Sequence, residues 1–223
     1  MNAKLLLTAS ARVLAGAAIL MLLLFLPAGD LRYMQAWLFL GVLFIPMLIA
    51  GGILAVKKPQ LLKKRLNAKE KESQQKAVIL FSALMFLAAF LSAGFSYRFQ
   101  FFMLPTWCSF IAAAVFLAAY AIYAGVLREN EYLSRTVEVQ EGQQVVDTGL
   151  YGVVRHPMYL STVLLFLSMP LVLGSLLSFA VTLFYIPLIV LRIRNEEKVL
   201  EEGLEGYAAY KKKVRYRLIP FIW

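Results

Sequence analysis

Residues 158–191 read MYLSTVLLFLSMPLVLGSLLSFAVTLFYIPLIVL, two short apolar runs that meet at Gly174-Ser175. The turn residues at the join and the unbroken apolarity on either side predict a hairpin of two helices within a membrane. A hairpin returns the chain to the side from which it entered. The polar residues before Met158 and after Leu191 are therefore expected to converge at one face of the bilayer.

Composition assigns the whole chain to the membrane class. Of its 223 residues, 61% are hydrophobic, and the mean hydropathy is +0.72, whereas a soluble domain is about 45–50% apolar. Its apolar runs approach the ~20 residues that cross a bilayer core. We predict an all-α, polytopic integral membrane protein of about six transmembrane helices, the last two forming the short hairpin 157–191. The runs are Val13–Leu26, Ala36–Val56, Ala77–Tyr97, Phe101–Leu127, Met158–Leu173 and Leu176–Leu191.

The distribution of Lys and Arg predicts the orientation. Basic residues crowd the loop 57–76 and the C-terminal tail, whereas the connections at 30–35 and 98–101 carry one each. Such residues favour the cytoplasmic side of a bilayer, so we expect both termini and every basic segment to be cytoplasmic. We attribute the net charge of +10 to the cytoplasmic placement of basic segments and to their contact with anionic lipid. We expect no nucleic-acid partner.

Cysteine and histidine usage excludes other classes of site. The chain has one cysteine, Cys108, and one histidine, His156. A single cysteine cannot form an internal disulfide. We therefore predict no metal site built from nitrogen and sulfur ligands.

Polar clusters lie at both feet of the hairpin, in Gly149–Tyr159 and in Arg192–Glu197. Pro157 predicts a helix start, whose backbone N–H groups attract anions. Arg192 ends an apolar run, where a charge costs free energy unless it pairs or binds a ligand. It shares a helix face with Glu196, four residues on. Taken singly, these residues also fit an anchored helix end and a surface ion pair.

Together, the motifs of residues 140–220 resemble the isoprenylcysteine carboxyl methyltransferase family, which is related to membrane phospholipid methyltransferases. The motifs that carry the resemblance are Val146–Tyr151, Arg155–Tyr159, Arg192, Glu196-Glu197, Leu200, and a tail with Tyr207, Tyr210, Lys211, Val214 and Pro220. Ser161 departs from the pattern, since the family commonly has glycine there.

The resemblance implies a methyltransferase that binds S-adenosyl-L-methionine in cytoplasmic segments and methylates a lipophilic acceptor entering from the bilayer. It implies that Arg192 is the catalytic residue that faces the acceptor's carboxylate, and that Glu196 binds the cofactor. Residues 1–127 would then supply four transmembrane helices, and residues 128–223 the methyltransferase region. The charge pattern itself predicts that Arg192–Lys213 forms a C-terminal cytoplasmic helix that continues out of the membrane from the sixth run. The other implied cofactor-binding residues are Gln143, Gln144, Val145, Val146, Tyr151, His156, Pro157, Met158 and Tyr159.

The acceptor chemistry has alternatives. An ionised carboxylate needs no general base, so positioning and desolvation would suffice. A phospholipid amine would need a base, for which His156 and Glu196 are the nearby groups, and a small thiol would need a thiolate beside Arg192. Outside the methyltransferases, an NADPH-dependent membrane reductase and a non-catalytic membrane protein remain open.

Overall fold

The structure, a computed structural model, describes residues 3–66, 73–134 and 136–223. Within those residues it contains helices and no β-strand, so the predicted all-α class is confirmed. The elements in chain order are α1 (Ala3–Ala28), α2 (Met34–Lys57), α3 (Pro59–Leu66), α4 (Ser73–Phe99), α5 (Thr106–Glu129), a 3₁₀ turn (Gly149–Gly152), α6 (Pro157–Val172), α7 (Leu176–Thr182), α8 (Tyr185–Gly203) and α9 (Tyr207–Lys213).

The helices form a polytopic membrane architecture, as predicted. In the described part of the chain, five stretches are long and apolar enough to cross a membrane, and α6 is a shorter apolar helix. The five are Leu7–Ala28, Met34–Lys57, Gln75–Phe99, Thr106–Glu129 and Leu176–Gly203.

The last span is divided into α7 and α8. The two helices are separated by Leu183 and Phe184, just before Pro187. A proline has no N–H to donate, and its ring clashes with the carbonyl four residues earlier, here that of Leu183. The break follows from this clash, and Pro187 falls in the first turn of α8, where proline is tolerated.

The hairpin join is fixed by neighbouring elements. Gly174 has φ +73°, a conformation that favours glycine, and its carbonyl accepts from the N–H of Leu104 at 2.8 Å. The Ser175 hydroxyl accepts from the N–H of Ser178 at 3.1 Å and so caps α7. The hydroxyl of Tyr33 donates to the carbonyl of Leu173 at 2.6 Å. These contacts tie the hairpin join to the segments that precede α2 and α5.

The opposite end of the bundle carries residues 57–66, 128–134, 136–157 and 192–223, and we call it the basic end. Part of the predicted basic loop, residues 67–72, lies outside the described residues. The connections of the basic end contact one another: the ammonium of Lys58 donates to the carboxylate of Glu131 at 2.9 Å. The charged segment 192–213 lies on two helices, α8 and α9, instead of the one continuous helix that the sequence predicts. α8 ends at Gly203, where Leu204 is extended, and Gly206, with φ +82°, precedes the first residue of α9.

Close packing of α1 against α4 depends on Gly94. A Cβ at this position would lie 2.5 Å from Pro27 Cγ and 2.7 Å from the Leu24 carbonyl oxygen, and overpacking of this kind typically costs about 1–3 kcal/mol. We expect Gly94→Ala to lower the thermal unfolding midpoint measured in detergent micelles. Gly51→Ala is the matched control, because a Cβ on that helical glycine would meet no neighbouring atom within 4 Å. Equal midpoints for the two variants would contradict this account.

Candidate functional site

The foot that precedes α6 is held by the C-terminal tail. The backbone N–H groups of Arg155 and His156 donate to the carbonyls of Tyr216 and Arg217, each at 2.9 Å. The guanidinium of Arg155 also donates to two further tail carbonyls, at 2.8 and 2.9 Å. Foot and tail therefore form one unit, which brings tail residues to the site.

Pro157 takes the first helical position of α6, as its missing N–H favours. The sequence also suggested an anion site at this helix start. However, the N–H groups of Tyr159 and Leu160 both donate to the His156 carbonyl, at 3.0 and 3.1 Å. Those two donors are already used, so side chains have to supply most of the site's chemistry.

A buried ion cluster lies beneath the site, centred on Glu197. Its carboxylate accepts from Arg155 Nε at 2.7 Å and from Arg217 Nε at 2.8 Å. His156 Nε2 lies 3.3 Å from the same carboxylate, and only 3% of Glu197 is exposed. The sequence left Glu197 on a face without a role. In the structure it joins α8 to the α6 foot and to the tail, and we call Glu197, Arg155, His156 and Arg217 the Glu197 cluster.

Arg192 and Glu196 are connected through Tyr159. Arg192 Nε donates to the Tyr159 hydroxyl oxygen at 3.0 Å, and that hydroxyl donates to Glu196 Oε2. The guanidinium carbon also lies 5.8 Å from the centre of the Tyr159 ring, within the range of a cation–π contact. The two feet of the hairpin thus converge, as predicted, and a tyrosine from α6 joins the two charged residues of α8.

Tyr151 is positioned from both sides. Its hydroxyl accepts from Asn130 Nδ2 at 3.0 Å, and its carbonyl accepts from the Tyr210 hydroxyl at 2.8 Å. The 3₁₀ turn that contains Tyr151 begins at Gly149. Gly149 has φ +51°, a left-handed conformation that favours glycine.

A cavity at the basic end is bounded by both feet, the 130–146 connection and α9. It contains about 830 Å³ of space between protein atoms, part of it open to solvent. Every site residue predicted from the sequence lines it except Pro157, which instead starts α6. The lining residues that were predicted are Gln143, Gln144, Val145, Val146, Tyr151, His156, Met158, Tyr159, Arg192 and Glu196.

Further lining residues were not assigned from the sequence. The 130–138 connection has no recognisable motif, and only its fold around the foot brings it to the cavity. By contrast, Arg155, Leu200, Tyr207 and Tyr210 belong to the motifs quoted above without a role in the site. The additional lining residues are Asn130, Tyr132, Leu133, Ser134, Thr136, Val137, Glu138, Arg155, Leu200, Leu204, Tyr207 and Tyr210.

Tyr207 contributes an unused donor to this cavity. Only 4% of the residue is exposed, and its hydroxyl has no hydrogen-bond partner among the residues that the structure describes. Burial, followed by the charges of Glu197 and Glu196, raises the pKa of Tyr207 well above its usual range, so the hydroxyl stays protonated at neutral pH. A buried donor without a partner is costly, and among the described lining residues Tyr207 is the one with a buried side-chain polar atom that lacks a hydrogen-bond partner.

The fold and the site define a polytopic helical membrane protein with a polar cavity at one end of its bundle. Residues 110–202 match the Isoprenylcysteine carboxyl methyltransferase (ICMT) family. Over these residues the match confirms the resemblance seen in the motifs. The match includes both hairpin feet and the Arg192–Tyr159–Glu196 contacts.

Two curated relatives are sterol reductases. The chain is 34% identical over 91 residues to Delta(14)-sterol reductase TM7SF2 of Mus musculus, covering 40% of this chain and 22% of that protein. It is 27% identical over 135 residues to Delta(14)-sterol reductase of Methylotuvimicrobium alcaliphilum, covering 54% of this chain and 32% of that protein. The chain thus spans a third or less of the length of these relatives.

Proposed function

We propose that this chain is an integral membrane methyltransferase that transfers a methyl group from S-adenosyl-L-methionine to the carboxylate of a lipophilic acceptor. The family match supports a membrane methyltransferase. The observation that carries the finer proposal is that Arg192 and Glu196 line one cavity and are joined through Tyr159. The positive charge of Arg192 suits an anionic acceptor, and the negative charge of Glu196 suits a cationic methyl donor.

The cavity residues fit S-adenosyl-L-methionine. When bound, this molecule supplies a methyl group on a cationic sulfur. The Glu196 carboxylate would attract the positive charges of such a ligand, and Tyr207 would donate its unused hydroxyl to a ligand oxygen or nitrogen. Apolar residues beside them, including Val145 and Leu204, would pack against the uncharged parts. Both charge and hydrogen bonding are therefore matched.

Arg192 would hold the acceptor. Its guanidinium is positively charged and binds a carboxylate through charge-assisted hydrogen bonds. Arg192 directly follows Leu191, of which 55% is exposed on the outer surface of the last span. A lipophilic chain lying against this surface would bring its polar end to Arg192. No residue has to remove a proton from an ionised carboxylate, so orientation and exclusion of water are the remaining tasks.

We also propose that the basic end faces the cytoplasm, where its Lys and Arg side chains contact anionic headgroups. The acceptor would then enter from the bilayer and the cofactor from the cytoplasm. In this arrangement the acceptor and the cofactor would reach the cavity by separate routes, one from lipid and one from water.

An NADPH-dependent reduction is the second candidate function, favoured by the similarity to two sterol reductases. Calorimetry separates the candidates: purified protein in detergent should bind S-adenosylhomocysteine, whereas NADPH binding alone would support the reductase. Transfer of a labelled methyl group to a panel of lipophilic carboxylates, amines and thiols then tests the acceptor. Label in the amine or thiol products, with none in the carboxylates, would overturn the carboxylate proposal.

The unused hydroxyl of Tyr207 allows a specific prediction. Tyr207→Phe should weaken S-adenosylhomocysteine binding about three- to tenfold, because one hydrogen bond contributes about 0.5–1.5 kcal/mol. The unfolding midpoint without ligand should not fall, since no protein hydrogen bond is lost among the described residues. Tyr210→Phe is the comparison variant, because its hydroxyl bonds to the Tyr151 carbonyl and its loss should lower the midpoint. Unchanged affinity in Tyr207→Phe would show that the ligand does not reach this hydroxyl.

A further inference from the structure

Gln75 contacts the acceptor side of the site from outside the family-matched segment. It lies in the first turn of α4, in the part of the chain that the sequence assigned to the basic loop 57–76. Its side chain is fully buried. A buried amide requires hydrogen-bond partners for both its oxygen and its nitrogen, so the partners of Gln75 indicate what it does.

Both ends of the Gln75 amide bond to Arg192. The amide oxygen accepts from Arg192 Nη1 at 2.9 Å, and the amide nitrogen donates to the Arg192 carbonyl oxygen at 3.3 Å. The Arg192 side chain is thereby fixed at two points, by Gln75 on Nη1 and by Tyr159 on Nε. Contacts on two different nitrogens set the plane of the guanidinium as well as its place.

We infer that Gln75 is a positioning residue, which orients the Arg192 guanidinium for the acceptor's carboxylate; this inference rests on the proposed function. A long arginine side chain has several free rotamers, and ordering it costs conformational entropy. A buried amide that holds the guanidinium in advance removes that cost from acceptor binding. Gln75 touches neither the acceptor nor the cofactor in this scheme, and it acts through Arg192 alone.

The inference makes Gln75→Met and Gln75→Glu behave differently. Methionine has a similar length and no hydrogen-bonding oxygen, so kcat/KM for a lipophilic carboxylate should fall roughly tenfold. The affinity for S-adenosylhomocysteine should be unchanged. Glutamate keeps an oxygen acceptor for Arg192 Nη1 but adds a negative charge that competes with the acceptor's carboxylate, so it should raise KM for the acceptor while kcat falls less than in Gln75→Met. Lys76→Met, which alters an exposed neighbour on the same helix, is the control and should match the unaltered protein.

A double-mutant cycle separates positioning from a structural role. If Gln75 acts through the guanidinium, Gln75→Met should have no further effect on turnover in an Arg192→Ala background. Additive losses, or a Gln75→Met variant that weakens cofactor affinity and acceptor turnover equally, would overturn the inference in favour of helix packing. Full activity in Gln75→Met would also overturn it while leaving the proposed function intact. If the unaltered protein transfers no methyl group to any carboxylate, the proposed function fails, and this inference fails with it.

Discussion

Glu197→Gln is expected to lower the free energy of unfolding by about 3–5 kcal/mol, the usual cost of breaking a buried ion pair by altering one partner. The carboxylate is 3% exposed and bonds to Arg155, His156 and Arg217. Glutamine would leave the buried Arg155 guanidinium without a negative charge. Since proteins are stable by only about 5–15 kcal/mol, the loss should be evident as a large fall in the thermal unfolding midpoint in detergent.

A control for this prediction lies on the same helix, α8. Glu202→Gln makes the same change on α8 at a side chain that is 68% exposed and faces Lys198. An exposed ion pair of this kind contributes about 0–1 kcal/mol, so the thermal unfolding midpoint of Glu202→Gln should change little. If Glu197→Gln were as stable as Glu202→Gln, the Glu197 cluster would not be what joins α8 to the foot and the tail.

Arg192→Ala is expected to reduce turnover of a carboxylate acceptor about 100-fold, the effect typical of losing a positioning contact at a reacting group. The affinity for S-adenosylhomocysteine should change much less, because Glu196 and Tyr207 remain in the cavity. The measurement is methyl transfer at saturating cofactor, with calorimetry alongside it. The expected result is therefore a loss of rate with the cofactor site preserved.

Arg194→Ala is the matched control, since Arg194 lies two residues along the same helix with an exposed side chain. It should retain the rate of the unaltered protein. Equal rates in Arg192→Ala and the unaltered protein would remove the reason for assigning a carboxylate to this position. A thiol or amine acceptor would then become the better hypothesis.

Much of the membrane architecture was predictable because it depends on local composition. Long apolar runs, turn residues at Gly174-Ser175 and proline at Pro157 each act over a few residues. The helical content, the spans and the start of α6 agree with expectation. The prediction of one continuous helix over 192–213 was wrong, because the extended Leu204 and the left-handed Gly206 turn the chain between α8 and α9.

The candidate site was predictable only where motifs marked it. Residues of the two feet line the cavity as expected, whereas the 130–138 connection could not be found without the fold. Gln75 and Arg192 are 117 residues apart in the sequence. No spacing rule connects such a pair, since their contact depends on how α4 packs against α8.

By itself, the sequence determined that this chain crosses a membrane several times and brings two polar feet together. Only the tertiary structure decided which side chains each of two neighbouring carboxylates contacts. Glu196 and Glu197 are adjacent, and successive residues of a helix point about 100° apart. Their partners therefore depend on the elements facing each side: Glu196 bonds to Tyr159 and lines the cavity, whereas Glu197 bonds to Arg155 and Arg217 in the interior.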